Sequence, residues 1–433
     1  MGRLWPGADS HVTTESQRVE RIRQTIPPGG LFLEQEWQIA PHPFQLTPEI
    51  RREFETLGRV LLQFYRALNL LYQHSAAGKQ PAWIADWLDR GKPADLIALQ
   101  RSHAFKNQVP RVIRPDVILT EDGLKIVELD SVPGGIGLTA WLNQTYAGLP
   151  DTSVVGGTDG MLKGFAGIFD DAQNVHIVIS EESKTYRPEM EWLAQQLGSD
   201  RFAVRDTSFK QFGDGDAVYR FFELFDLPNV TNGQLILELA REGRVHLTAP
   251  PKPILEEKMM FALLWNRNLY GFWRQNLGES FFRRLLDLVP YSWLVDPTPL
   301  PPQAAIPRLE LTDWNQLKSL SQRERELILK VSGFSSEAWG ARGVYLGNDL
   351  SQAEWSAAVD KALSSAPGSP YVLQRFHKPK LIDSGRVRLC PYYFVHGAAD
   401  SARAHLGGVL ATICPPDKKI IHGMKDAVLA PCA

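Results

Sequence analysis

Cysteine is scarce in this chain. Only Cys390, Cys414 and Cys432 occur, without CxxC spacing, so a zinc ribbon has no ligand set. Three thiols cannot all pair, and so sparse a set fits a reducing compartment. Long apolar runs are also missing. The longest, Met259 to Trp265, has about seven residues where a membrane-spanning helix needs roughly 20. The opening residues MGRLWPGADS contain no apolar stretch of a secretory signal, and Pro6 stands where a myristoylation signal has Ser or Thr. Neither charge is in excess: 47 Lys and Arg against 49 Asp and Glu leave a net charge of −2, which excludes a general electrostatic grip on nucleic acid. No G-x-G-x-x-G and no GK[ST] phosphate loop occurs, and the ten histidines lack ligand spacing. No Ser/His/Asp or Cys/His set suggests a nucleophilic enzyme. The expectation is a cytoplasmic protein of several domains that acts on small molecules, with no nucleic-acid or membrane partner.

The sequence divides into three stretches, 1–164, 165–253 and 254–433. The first 46 residues read as irregular, punctuated by Pro27, Pro28, Gly29, Gly30, Pro41 and Pro43. A long helix then starts at Thr47-Pro48-Glu49, where Thr47 caps free amides and Pro48 suits the first helical position. Phe54, Leu57, Leu61, Phe64, Leu68 and Leu71 recur on one face of it. From His176 to Val204, strand, helix and strand alternate, as in a parallel α/β sheet. The last stretch predicts a helix from Glu256 to Trp265, a Pro-rich loop over Asp296–Pro307 and strands at Glu326–Val331 and Val344–Leu346. It continues with a helix capped by Ser351 and Glu354, then strands at Tyr371–Phe376 and Arg388–Val395. The fold class is α/β with α+β elements.

The most informative segment is RPDVILTEDGLKIVELD, Arg114 to Asp130. Two apolar runs flank Glu121-Asp122-Gly123, which predicts a hairpin with a three-residue turn and Gly123 in the left-handed region. That turn sets Thr120 opposite Leu124, Asp116 opposite Glu128 and Arg114 opposite Asp130. Residues two apart share a strand face, so Arg114, Asp116, Glu128 and Asp130 gather on one side. Three carboxylates held close repel unless a cation sits among them, and hard oxygen ligands suit Mg²⁺. A salt-bridged hairpin neutralised by Arg114 is the other reading. Beyond Asp130, the loop Ser131-Val132-Pro133-Gly134-Gly135 leads into a helix and reads as either a plain turn or an anion-binding loop.

Lys330 enters a Ser/Gly-rich loop, Ser332 to Gly343, which suits phosphate binding or, equally, an ordinary flexible hairpin. Lys258 reads as a helix-end lysine, and Gln374 as a core amide or a contact to a base edge.

Taken in order, these segments resemble the ATP-grasp ligases, in particular the circularly permuted branch that includes the synthetase domain of glutathionylspermidine synthetase. The resemblance rests on an R-x-D strand and an E-x-D strand, an α/β unit ending Tyr219-Arg220-Phe221-Phe222-Glu223, the Lys258 helix ending Leu263-Leu264-Trp265, the Lys330 strand with its glycine loop, and the strand that holds Gln374. It covers about residues 105 to 380. Asp130 stands where that branch has Asn. The resemblance implies an ATP-grasp architecture with a Rossmann-like unit at 165–253 and an Mg²⁺- and ATP-dependent carboxylate–amine ligase. It further implies Mg²⁺ at Asp116, Glu128 and Asp130, phosphate contacts from Lys258, Lys330, Ser332 and Gly333, adenine at Gln374, Arg375 and Phe376, and Arg114 facing the transferred phosphoryl group. A protein of this type that binds nucleotide or a partner without catalysis is the alternative. Ligands of α/β sheets bind beyond the carboxyl ends of strands, which points to Gly134, Gly135, Tyr186 and Arg187 as substrate contacts.

Overall fold

The structure, a computed structural model, describes residues 8–27, 37–383, 385–397, 401–421 and 426–433. Three sheets organise it. The largest interleaves the two halves of the chain, in the order Gln38–Ile39, Val428–Pro431, Arg403–Cys414, Gly385–His396, Val112–Thr120 and Gly123–Asp130, with Leu381–Ile382 paired to Gly385–His396. A second sheet is antiparallel: Val344–Leu346, Leu327–Val331, Tyr371–Arg375 and Ser292–Leu294. The third is wholly parallel, Phe202–Arg205, Val175–Ile179, Ala217–Phe221 and His246–Thr248, as the strand–helix alternation predicts. Among the described residues no helix is long and apolar enough to cross a membrane.

The helix Pro48–Ala76 follows from its sequence signals. Thr47 accepts a hydrogen bond from the Ile50 amide at 3.3 Å, and the predicted apolar face is buried. It packs on the large sheet at strand Arg403–Cys414. At Gly58 an added Cβ would lie 2.5 Å from the ring of Tyr393 on strand Gly385–His396, so glycine is what lets this aromatic reach the helix, where its hydroxyl donates to the Phe54 carbonyl at 2.7 Å. The capping box of Ser351 and Glu354 forms as read.

Three expectations change. The N-terminal stretch is not irregular throughout: Ala8–Arg23 is a helix. From Glu15 to Arg23 only Ile22 is buried, with Arg18 and Val19 half-buried, and so few buried positions hide it from a periodicity test. Pro28, Gly29 and Gly30 lie outside the described residues. The helix expected from Glu256 begins at Met259, after a short helical turn at Pro253–Leu255. In the acidic hairpin the turn is tighter than a three-residue loop: Thr120 pairs with Gly123 and Leu119 with Leu124. The Thr120 hydroxyl donates to the Gly123 carbonyl at 2.7 Å and accepts from the Asp122 amide at 3.2 Å, while Gly123 has φ +91°. Further along the hairpin, Val127 is bulged out between the pairs Val117–Ile126 and Asp116–Glu128. The bulge restores the register, so Asp116 faces Glu128 and Arg114 faces Asp130 as read.

Candidate active site

The hairpin delivers its charges into a cavity of about 640 Å³, within the range of small-molecule sites. Arg114, Asp116, Glu128 and Asp130 line one wall. Lys258, Lys330, Gly333, Gln374, Arg375, Phe376, Gly134, Gly135 and Tyr186 also line the cavity. Two of the expected residues are not brought in. The Ser332 side chain turns away to donate to the carboxylate of Glu257. Arg187 starts a helix and pairs with Glu191 at 3.5 Å on the surface.

The acidic cluster is matched by cations. The Arg114 guanidinium lies 3.1 Å from Asp116 and 3.1 Å from Asp130, and also donates to the Gly134 carbonyl at 3.3 Å. Arg388 reaches the other oxygen of Asp116 at 2.8 Å. Burial pushes the Asp116 carboxyl up, but Arg114 and Arg388 outweigh it and hold the group below its ordinary value. Lys258 lies 3.0 Å from Glu128. Of the three carboxylates, Asp116 is 5% exposed, Asp130 26% and Glu128 41%. Glu128 and Asp130 therefore retain open faces, whereas Asp116 is enclosed by two guanidiniums. Among the described residues no three His, Cys, Asp or Glu side chains converge as metal ligands do.

Lys330 is held by neutral groups. Its ammonium donates to Gln374 Oε1 at 3.0 Å and to the carbonyl of Val127, the bulged residue, at 2.9 Å. Gln374 Nε2 in turn donates to Ser292 Oγ at 3.1 Å. Both ends of the Gln374 amide are thus engaged in placing the lysine. Burial, opposed by Glu128, lowers the Lys330 pKa to about 8.

The glycine loop after Asp130 has its anion already. The amides of Gly135 and Leu138, at the start of helix Ile136–Ala147, donate to the two carboxylate oxygens of Glu189 at 2.8 and 3.0 Å. Gly135 has φ +85° and Gly134 has no room for a Cβ, which would lie 2.2 Å from the Tyr186 ring. The loop is therefore fastened to the α/β unit, and Tyr186 comes to the cavity with it. Burial outweighs these amides and raises the Glu189 pKa to about 7. A carboxyl so raised stabilises the fold most below its unfolded pKa and loses that contribution as pH climbs through its folded value. Between about pH 4.5 and 7 the loss is about 3 kcal/mol. Urea melts at pH 5 and 8 should show this slope in the wild type and not in Glu189→Gln.

Among the cavity residues that the sequence reading did not single out are Glu223 and, on another element, Arg388, Cys390 and Tyr392. The last three alternate along strand Gly385–His396, and the pattern R-x-C-x-Y at period two is the available signal. The Cys390 thiol, pushed up to about 12 by burial and then by Asp116, lies 3.4 Å from an Asp116 oxygen as a donor. Tyr392 donates to the Gly134 carbonyl at 2.8 Å.

No protein-family model matches the chain, and no curated protein matches it at a significant level. Among solved structures, the chain is similar to a glutathione synthetase-like effector from Globodera pallida in its apo form. The TM-score is 0.59 at 10% identity, covering 99% of this chain and 98% of that one. A protein provisionally assigned as a gamma-glutamylcysteine synthetase, from Methylobacillus flagellatus KT, gives a TM-score of 0.42 at 11% identity over 85% of this chain and 88% of that one. The first likeness spans the whole chain. The fold is that of glutathione synthetase-like structures, of the ATP-grasp type.

Proposed function

We propose that this protein is an ATP-dependent carboxylate–amine ligase that forms an amide through an acyl phosphate. One observation carries the reading: a single cavity of an ATP-grasp-type fold gathers Arg114, Lys258 and Lys330 with the carboxylates of Asp116, Glu128 and Asp130. In this reading the hairpin of 1–164 and the lobes of 254–433 build the nucleotide site, 165–253 is the Rossmann-like unit, and the chain order is circularly permuted.

ATP sits with its phosphates between Lys258 and Lys330, which neutralise their charge. Gly333, its amide held by Glu257, borders the triphosphate, and Arg375 and Phe376 bound the adenine side. Glu128 and Asp130, with their open faces, would hold Mg²⁺, which when bound offsets phosphate charge. Asp116 holds Arg114 and Arg388 in place. A substrate carboxylate oxygen attacks the γ-phosphorus, the bond to ADP breaks, and Arg114 stabilises the charge on the transferring group. The amine then attacks the acyl carbon, phosphate leaves with the C–O bond, and the amine releases a proton. Glu223 lines the same cavity, but burial together with Glu256 holds its carboxyl well above the ordinary range and so protonated, which leaves the departing phosphate to take the amine's proton. Tyr186 and Gly134 border the acceptor side.

The test is phosphate release with Mg²⁺-ATP across a panel of acid–amine pairs, alongside melting with Mg²⁺-ATP and with NAD. Stabilisation by Mg²⁺-ATP alone, and phosphate release with one pair, is the expected result. Stabilisation without turnover on any pair would favour a nucleotide-binding protein without catalysis. No response to Mg²⁺-ATP would reject the reading.

A further inference from the structure

Beside the cavity lies a buried ion pair that the ligase chemistry does not use. Lys92, in the turn between helices Ala82–Asp89 and Ala94–Arg101, places its ammonium 2.5 Å from one oxygen of Glu257. Both side chains are enclosed, at 0% and 1% exposure. The other oxygen of Glu257 accepts from the Ser332 hydroxyl and, at 3.1 Å, from the Gly333 amide. Glu257 immediately precedes Lys258, whose ammonium meets Glu128. The Lys92 ammonium also lies 5.8 Å from the centre of the Phe334 ring. At Gly333 an added Cβ would fall 1.7 Å from the Glu256 carbonyl oxygen, so the loop base lies directly on the backbone of residues 256–257. At Gly91 it would fall 1.8 Å from the Gly368 carbonyl oxygen, so the Lys92 turn is wedged against the same lobe.

Two charges removed from water are a poor source of stability by themselves. Two apolar residues would fill the same space at no such cost. What the pair does that apolar residues cannot is present a fixed acceptor to a loop amide and a loop hydroxyl. We propose that Glu257, held by Lys92, is a positioning residue for the nucleotide site. It pins the base of the glycine loop at Ser332 and Gly333 and, through the next peptide, sets Lys258 against Glu128. The loop then moves, if it moves, from Phe334 onward, over a base that is already placed for the phosphates. This inference rests on the nucleotide reading above.

The test separates the acceptor from the charge. In Lys92→Met/Glu257→Gln both charges go, and the amide oxygen still accepts from Ser332 and Gly333. In Lys92→Met/Glu257→Leu the acceptor goes as well. The readouts are the calorimetric Kd for Mg²⁺-ATP and amide hydrogen exchange across residues 332–338. In the Leu variant, affinity is expected to be at least about tenfold weaker and loop exchange at least about tenfold faster than in the Gln variant, the loss of the two bonds from Ser332 and Gly333. The Gln variant should stay near wild type in both. Equal affinity and equal exchange in the two variants would overturn the proposal, since a purely structural pair would shift melting without separating them. If the Leu variant does not fold, Ser332→Ala takes its place: it removes the hydroxyl donor, which is turned away from the cavity, and leaves the ion pair intact, and faster exchange at 332–338 with weaker affinity than wild type is expected. If the wild type itself binds no Mg²⁺-ATP, the ligase reading falls. The exchange comparison then decides the clamp alone, and wild-type exchange at 332–338 in the Leu variant rejects it.

Discussion

Glu128→Gln is expected to lower Mg²⁺-dependent ATP turnover by about a hundredfold or more, the size of effect seen when one electrostatic group is removed from a transferring phosphate. Glu128 is the most exposed of the three clustered carboxylates and the one set opposite Lys258. The amide keeps the shape and loses the charge, so the increase in melting temperature given by Mg²⁺-ATP should shrink or vanish. The nucleotide-free protein should weaken by only about 1–3 kcal/mol, because Lys258 loses a partner at the edge of the cavity. Asp116→Asn should behave in the opposite way. Two guanidiniums then share a neutral acceptor in a closed space, and about 3 kcal/mol of stability is lost while the shift with Mg²⁺-ATP persists. The sign with pH follows. A carboxyl held below its ordinary value contributes fully above its unfolded pKa and loses that contribution as pH falls through the lower folded one. The difference between wild type and Asp116→Asn should therefore close below about pH 4. Melting of the three proteins with and without Mg²⁺-ATP checks both statements. A Glu128→Gln protein that keeps the full shift would falsify the metal assignment.

Lys330 should give nucleotide affinity a falling limb at alkaline pH. Its pKa of about 8 in the free protein means that the charge facing the phosphates is lost above that value. Binding a polyanion restores the proton, so the Kd should rise up to tenfold per pH unit above about pH 8, with proton uptake. Lys330→Met should weaken binding by about a hundredfold and flatten the profile, as expected for a buried charge on phosphate. Stability should run the other way. A lysine whose folded pKa lies below its unfolded one destabilises the fold while charged. That cost, about 3 kcal/mol, is relieved as pH rises from about 8 to 10.4. A protein that gains stability while losing nucleotide over one pH window is a signature no surface lysine gives. Calorimetry in two buffers of different ionisation enthalpy reads the proton, and a flat Kd across pH 7–9.5 would remove Lys330 from the phosphate site.

Much of the site could be read because its residues sit on strands, where period two fixes the face. Arg114, Asp116, Glu128 and Asp130 share a wall by that rule alone. Their register was right although the turn was not: the tight Thr120–Gly123 pairing and the Val127 bulge offset one another. A bulge leaves no mark in a sequence, since any residue can be the extra one. What stayed hidden depends on meetings between segments distant in the chain. Arg388 could be seen to share a face with Cys390 and Tyr392, but nothing local says that this strand lies beside Val112–Thr120. Glu189 could be seen at the start of a helix, but not as the occupant of the Gly135 amides. Lys92 and Glu257 look like surface residues until both are enclosed. The N-terminal helix escaped for the opposite reason: from Glu15 to Arg23 only Ile22 is buried, too few positions to set a period.

The order of the largest sheet bears on how the protein is made. Val112–Thr120 is synthesised long before Gly385–His396, the neighbour that covers its open side. During translation the acidic hairpin is therefore a two-stranded ribbon with one unpaired, strongly apolar edge, and such a ribbon is marginal alone. Contacts so far apart in sequence form slowly. Until they form, the free edge can pair with any exposed strand, including the same edge on a neighbouring nascent chain. The parallel α/β sheet, whose strands lie within a short stretch of chain, can close first. Newly made protein should thus pass through a state in which that sheet is complete and the nucleotide cavity does not yet exist. Slowing elongation should not help it, whereas a chaperone that covers strand edges should.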